Sequence, residues 1–257
     1  MLIPLDVPPV PVATKRTESK GAERLARRAL IENSLLAELP DKDYKRLLAG
    51  LEPVALTLGQ VLYESGDIIR HVYFPGDSLV SLLTMADGHL ALEVGLIGRE
   101  GMVGIPLVLG HKLSSVRALV QGSGSAMRIA SARFLKEFGL SRPLQREVYR
   151  YTHALMAQIS QTAACNRFHV VEQRFARWLL MTHDRVKSDH FRMTHEFLGH
   201  MLGVRRVGVT KAAQALQKRN LISYSRGNIT ILDRSGLEAA ACQCYEVVKA
   251  MHDDGGQ

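Results

Sequence analysis

The 257-residue sequence contains only three cysteines. Three make no disulfide framework, so a reducing, cytoplasmic setting is expected. Uninterrupted apolar runs of about 18 residues are also missing, and no transmembrane helix or membrane partner is expected. The opening residues, Met1 to Pro9, lack a basic start and a continuous apolar stretch, which argues against a secretory signal. Chemical constellations are sparse. His71, His89, His111 and His153 are scattered, and no His-x-His pair supplies clustered ligands. His195 and His200 stand five residues apart, about 140° around a helix, which fails the zinc-protease spacing. Cys242-Gln-Cys244, placed on one helix, splays its thiols about 200° apart. No catalytic residue, metal or cofactor is therefore assigned; Cys242 and Cys244 are taken as buried apolar groups, and Cys165 as a quiet interface thiol, with a redox role as the alternative.

What is present is unevenly spread charge. The chain carries 33 Lys and Arg against 25 Asp and Glu, a formal net charge of +8. Residues 51–130 hold five basic and seven acidic residues; residues 190–230 hold seven basic residues against Glu196 alone. A basic C-terminal segment after a mildly acidic middle predicts two domains with different partners, the second binding a polyanion. A further basic cluster, Lys15, Arg16, Lys20, Arg24, Arg27 and Arg28, reads as a solvated face or a DNA-backbone arm.

Residues 1–21 hold four of the nine prolines and no apolar period, and read as a disordered arm. In 22–50, Leu25, Ala29, Leu36 and Leu39 keep helical spacing, Pro40 interrupts, and Tyr44, Leu47 and Leu48 continue. From Glu52 to Arg128 short apolar runs alternate with Ser65-Gly-Asp, Pro75-Gly-Asp, Ala86-Asp-Gly and Gln121-Gly-Ser-Gly. Such turns every ten residues or so predict an antiparallel sandwich or barrel. Ser131 caps a short helix ending at Gly139, and Pro143 opens a long one, 142–166, about 37 Å in length. Leu144, Val148, Tyr151, Leu155, Ile159 and Thr162 make a near-heptad stripe on it, the expected seam of a homodimer. The next helix, from Phe168 to His183, carries Arg174 and Arg177 on its charged face, and a loop follows at Lys187-Ser-Asp-His. The tail from Leu237 to Gln257 reads as one further amphipathic helix.

Residues 194–219 carry the strongest signal. Thr194 is an N-cap, Phe197, Leu198, Met201 and Leu202 form an apolar face, and Gly203 ends the helix. A second helix follows with Val209, Ala212, Ala213 and Leu216 inward. Arg205, Arg206, Lys211 and Lys218 lie off that apolar face, free to meet a major groove. Leu221 to Leu232 then makes a hairpin turning at Arg226-Gly-Asn. Two helices joined by a Gly-containing turn, followed by a basic hairpin, are a winged helix-turn-helix unit.

With the barrel and the long helix before it, the chain resembles the cyclic-AMP receptor protein/FNR family of bacterial transcription regulators over about residues 33–232. Gly199, Gly203, Arg206, Asn220-Leu221-Ile222-Ser223 and Gly227 stand as in the family pattern. The resemblance implies an α+β chain: a disordered arm (1–21), a cyclic-nucleotide-binding-like jelly-roll sensor domain (a double-stranded β-helix, 22–141), a dimerisation helix (142–166) and a winged helix-turn-helix DNA-binding domain with a helical extension (167–257). It also implies a homodimer on double-stranded DNA, with RNA polymerase as a further partner. Arg206 falls on the family's main base-reading position and Lys211 on a second one, while Val207 replaces the usual Glu and Arg205 a capping Ser. Arg226 and His195 match backbone-contacting positions, joined by Thr194 and Lys218. In the cyclic-nucleotide cassette, Gly104 is followed by Ile105 where a Glu is usual, and Ser114 replaces the phosphate-binding Arg beside the retained Ser115. Control by cyclic AMP through those residues is not expected. The alternatives are a constitutive DNA binder with a vestigial barrel and a jelly-roll enzyme with a nucleic-acid tether. FNR-type iron–sulfur sensing lacks its N-terminal cysteine cluster.

Overall fold

The computed structural model describes residues 33–86, 90–186 and 188–253. The expected arm and its basic cluster, the first turns of helix 22–50 with Leu25 and Ala29, the Asp87-Gly88 turn, His89, Lys187 and the last four residues lie outside the described residues. Asn33 caps α1 (Ser34–Ala37): its Oδ1 accepts from the Leu36 N–H at 3.1 Å, and its Nδ2 donates to the carbonyls of Pro75 and Gly101. This buried amide ties α1 to the barrel. After Pro40, α2 (Asp41–Leu48) buries Leu47.

Seven antiparallel strands follow: β1 (Glu52–Leu56), β2 (Val61–Tyr63), β3 (His71–Pro75), β4 (Leu79–Ala86), β5 (Leu90–Ile97), β6 (Arg117–Gly122) and β7 (Gly124–Ala130). They form two sheets, ordered β1-β7-β3 and β2-β6-β4-β5. The expected turns are where the hydrophobic pattern stops. Asp77 of the Pro-Gly-Asp turn accepts from the Ser125 N–H and hydroxyl at 2.6 and 2.7 Å, joining the two sheets. Phe74, Val72, Val80, Val120 and Met127 fill the space between the sheets and are at most 1% exposed.

α3 (Ser131–Leu140) runs through Gly139 rather than ending there, and Ser131 is not a cap; its hydroxyl donates to the Ile69 carbonyl. Ser141 caps the long α4 (Arg142–Phe168), accepting from the Leu144 N–H, with Pro143 in the first turn. The stripe expected to meet a second copy is covered by the chain's own barrel. Leu144, Val148, Tyr151 and Leu155 belong to the barrel core, with Ile159 packed against it. Tyr151 lies so close over Gly101 that a Cβ there would come within 2.0 Å of the ring. The face of α4 left exposed is a different one, with Tyr149, His153, Met156, Ser160 and Ala163 at 4-3-4-3 spacing.

The C-terminal half contains α5 (Val171–Val186), β8 (His190–Arg192), α6 (His195–Leu202), α7 (Arg206–Lys218), β9 (Ile222–Ser225), β10 (Asn228–Ile231), α8 (Arg234–Ala240) and α9 (Cys244–Asp253). After the loop at Ser188-Asp189, β8, a strand that sequence reading did not single out, pairs with β10, completing a β8-β10-β9 sheet. Arg174 and Arg177 are not on a charged face; both are 6% exposed. The tail is not one helix. Ala241 adopts an extended conformation (φ −73°, ψ 160°), so α8 ends and α9 starts afresh along α4.

The winged half rests on the outer face of the barrel. Leu79, Leu83 and Leu96 share one apolar core with Phe175, Trp178 and Leu179. Polar groups fix the docking. The Trp178 indole N–H donates to buried Glu93 at 3.0 Å, and the Ser81 hydroxyl donates to the other carboxylate oxygen at 2.7 Å. Arg185 pairs with Glu100 at 2.7 Å and donates to Gln158. Burial pushes the Glu93 carboxyl up to about 7, against the opposing hydrogen bonds from Ser81 and Trp178 and the nearby Arg177 and Arg185. A carboxyl whose folded pKa is raised stabilises the fold at low pH and loses that contribution as pH rises through the folded value. Between pH 5 and pH 8 the native protein should therefore lose roughly 2–3 kcal/mol of unfolding free energy relative to Glu93→Gln, measured by urea unfolding.

Glycine shapes the turn between α6 and α7. Gly203 sits at φ +61°, closing α6 with its N–H on the Gly199 and His200 carbonyls. A Cβ on Gly199 would stand 2.9 Å from the Val204 carbonyl oxygen, so only glycine permits the close approach. Gly199→Ala should cost roughly 1–3 kcal/mol in the same unfolding assay. Gly139→Ala, whose Cβ meets nothing within 4 Å on α3, should instead stabilise by about 0.5–1 kcal/mol.

Candidate nucleic-acid interface

α6 is set by its cap: the Thr194 hydroxyl accepts from the Phe197 N–H at 3.1 Å. Its buried Leu198, Met201 and Leu202 pack against Val209, Ala212, Ala213 and Leu216 of α7. That packing fixes the rotation of α7. Arg205, Arg206, Val207, Lys211 and Lys218 are all exposed, with Val207 60% exposed. Val207, Lys211, Gln214 and Lys218 follow at 4-3-4 spacing down one outward face. A solvent-facing valine among cations is suited to an apolar contact such as a thymine methyl.

The wing is a two-residue hairpin. Asn228 pairs with Ser225, and Arg226 and Gly227 take φ values of +49° and +81°. Both positive φ values fit the tight turn that matches strand twist. The Met193 N–H donates to the Gly227 carbonyl at 2.7 Å, which leaves exposed Arg226 at the tip.

His195 is placed differently from expectation. Its Nδ1 meets the Thr210 hydroxyl at 3.0 Å, its ring packs on Tyr224 with centroids 4.4 Å apart, and its Nε2 is buried without a hydrogen-bond partner. Burial, then the neighbouring Arg206 cation, holds it below the ordinary histidine range, favouring the neutral ring. It is a joint between α6, α7 and the wing rather than a free phosphate donor. Sequence reasoning missed this joint: Tyr224 also donates its hydroxyl to the Met193 carbonyl, and its N–H donates to Gln217. Nothing in the pattern marked Thr210, Gln217 and Tyr224 as one cluster, because they meet only in three dimensions.

The residues of the expected effector pocket are closed off. Gly104 turns the chain at φ +121° into a 3-10 helix (Ile105–Leu109), and Ile105 is buried in the barrel core. Ser114 is buried, donating to the Val116 carbonyl and accepting from the Val116 N–H, while Ser115 faces solvent. Arg117 is held by Glu64 at 2.7 Å, and Lys112 is exposed. A cleft of about 460 Å³ opens nearby, with Tyr63, Asp67, Arg70 and His71 on its walls. A larger one of about 800 Å³ lies between α1, α4, α5 and α9, lined in part by Arg99, Arg150, Asp184 and Lys249. None of the sequence-assigned pocket residues lines either cleft. No helix among the described residues is long and apolar enough to cross a membrane.

Residues 173–240 match the family of Crp-like helix-turn-helix domains. No curated protein matches the sequence. Among solved structures, the c-di-GMP responsive global regulator CLP of Xanthomonas campestris is similar in fold, with a TM-score of 0.62 at 17% identity, over 75% of this chain and 99% of that one. FixK2 from Bradyrhizobium japonicum gives a TM-score of 0.63 at 14% identity, over 75% and 98% of the two chains. A CRP/FNR family transcriptional regulator from Thermus thermophilus gives 0.60 at 21% identity, over 74% and 98%. Residues 173–240 thus match Crp-like helix-turn-helix domains, on a chain similar in fold to CRP/FNR transcription regulators.

Proposed function

We propose that this protein is a sequence-specific DNA-binding transcription regulator that acts as a homodimer on an inverted repeat, without using cyclic AMP through the usual phosphate-binding residues. The observation that carries the reading is the outward face of α7, where Arg205, Arg206, Val207 and Lys211 are all exposed beside a wing tipped by Arg226. An exposed helix face of cations and one apolar group fits a major groove, and a basic hairpin fits the adjoining backbone. Arg206 reads a guanine edge, Val207 meets a thymine methyl and Lys211 reaches a second base. Thr194, Lys218 and Arg226 contact phosphates, whereas His195 positions Arg206 from within the domain.

The exposed stripe of α4, with Tyr149 and Met156 at its centre, is the surface on which two copies pack. It keeps the near-heptad spacing of a helix–helix seam, and both residues are more than half exposed in a single chain. Two winged units then enter major grooves ~34 Å apart. Cyclic AMP finds neither of its usual partners, since Ile105 is packed and Ser114 is bonded to its own loop. The filled barrel favours a second reading, in which the chain binds DNA constitutively.

Selection of random duplex DNA by the purified protein, with no effector added and at about 0.15 M salt, tests the reading. The expected product is an inverted repeat with half-site centres ~10–11 base pairs apart. Arg206→Ala should relax one base position by ~1–3 kcal/mol of discrimination. Arg226→Ala should weaken all sequences alike and reduce the salt slope by about one. Equal behaviour of the two variants would refute direct readout by Arg206. In sedimentation equilibrium, Met156→Glu should shift the protein from dimer to monomer; an unchanged dimer would place the seam elsewhere.

A further inference from the structure

The break at Ala241 brings the three cysteines together. Cys165 lies in the last turn of α4 and His169 caps that helix, its N–H donating to the Cys165 carbonyl. Residues four apart on a helix share a face. Cys242 and Cys244 flank the start of α9, both buried, with exposed Gln243 between them. Cys242 stands before the helix, in a turn closed by the Tyr245 N–H on its carbonyl, so the two thiols do not splay around one helix. Among the described residues, Cys165, His169, Cys242 and Cys244 are the group whose Sγ and ring-nitrogen atoms all lie within 4.8 Å of one another.

Two of the separations are close to those around a single tetrahedral ion. Cys165 Sγ and Cys242 Sγ are 3.5 Å apart, and Cys244 Sγ is 3.4 Å from His169 Nδ1. Metal–sulfur bonds of about 2.3 Å and metal–nitrogen bonds of about 2.0–2.1 Å at tetrahedral angles put sulfurs about 3.8 Å apart and sulfur about 3.6 Å from nitrogen. A disulfide between Cys165 and Cys242 would use two of the four groups and leave Cys244 and His169 without a role. Ligands of an iron–sulfur cluster stand on different irons and are spread more widely than four donors within 4.8 Å.

Charge gives a second, independent indication. Arg174 and Arg177 are each 6% exposed, and neither forms an ion pair with a carboxylate of the described residues. The Nε atoms of both are buried without a hydrogen-bond partner. Both guanidinium groups are within electrostatic reach of Cys165 and Cys242. Buried cations are favoured beside anions, and thiolates in this cluster would supply them. Three thiolates and a neutral histidine around a divalent cation carry a net charge of −1, which the two arginines face. Gln161 Nε2 donates to Cys244 Sγ at 3.0 Å, the kind of outer hydrogen bond that orients a thiolate ligand.

We infer that Cys165, His169, Cys242 and Cys244 bind one zinc-type divalent ion, which staples the C-terminal extension to the junction of α4 and α5. Sulfur-rich tetrahedral sites favour zinc over hard cations. Four protein ligands leave no open position, so the site is a clamp rather than a catalytic centre. Its reach extends to the helix-turn-helix: Arg174, facing the cluster, donates to Asn166 at the end of α4 and to the Leu202 carbonyl at the end of α6. Occupancy of the site thus fixes the angle between the central helix and the winged domain. The effect on DNA affinity rests on the function proposed above; the metal site itself does not.

The test uses the full chain, purified reduced, stripped with a chelator and titrated with cobalt(II), followed by zinc. The expected result is one equivalent of cobalt with the visible bands of tetrahedral thiolate coordination, displaced by one equivalent of zinc. Cys244→Ser and His169→Ala should abolish those bands or weaken cobalt binding at least tenfold, and Gln161→Ala should weaken it about tenfold. His169 caps the helix from a half-buried position, so His169→Ala remains informative where a cysteine variant fails to fold. A folded chain that binds no cobalt or zinc overturns the inference. So does a Cys165–Cys242 disulfide in its place, or iron accompanied by acid-labile sulfide. DNA selection by the same samples separates the two readings: metal without selected DNA refutes the regulator, and selected DNA without metal refutes the clamp.

Discussion

Everything in this chain is organised around a helix that cannot stand alone. α4 is 27 residues long, and one flank is buried in the barrel core through Leu144, Val148, Tyr151 and Leu155. Burial of such side chains contributes about 1.5–3 kcal/mol each at most, enough to hold a helix whose isolated stability is marginal. α9 lies along the same helix, with Tyr245 and Val248 buried. The barrel, the extension and the winged half therefore share one axis. The face that remains is narrow, and the 4-3-4-3 spacing of its residues follows from the two faces already covered.

Much of this was legible in the sequence. Gly203 acts through a left-handed backbone conformation that few residues adopt, and Asp77 of Pro75-Gly-Asp through its side-chain hydrogen bonds to Ser125. Pro143 in the first turn of α4 and Thr194 before an apolar face are local helix-start chemistry and were legible, whereas the cap of α4, Ser141, was not singled out. The outward face of α7 followed from the inward one, because helical spacing fixes both together. The partner of an apolar stripe does not follow from spacing. Leu144 to Leu155 repeat as a dimer seam would, yet the chain's own barrel covers them, since an amphipathic helix specifies burial and not what buries it.

Two failures have a common cause. Arg174 and Arg177 were placed on a solvated face because charge usually is, and Cys242 and Cys244 on one helix because Ala239 to Ala241 favour helix strongly. Tertiary packing overrode both expectations. The break at Ala241 lets α9 turn back along α4, and the guanidinium groups fill the space between α4, α5 and the cysteines. These locally unfavourable choices meet at one place in the fold. Such convergence is what a bound group would explain and what local propensity cannot.

The same geometry limits how the winged half can move. Gly203 in the helix-turn-helix turn leaves no room for a Cβ, which would fall 2.6 Å from Leu92 of the barrel, and Leu79, Leu83 and Leu96 are covered by α5 and its neighbours. Rotation about His169 and Val170 would uncover those leucines, part Trp178 from Glu93, and separate Arg185 from Glu100. Protonation at Glu93 acts directly on that contact, because a neutral carboxyl is cheaper to bury beside Trp178 than a charged one. The outward side of α7 stays open throughout, since none of its cations takes part in the docking. Docking on the barrel therefore constrains where α7 points without covering it, so a change at the junction would alter its direction relative to the barrel.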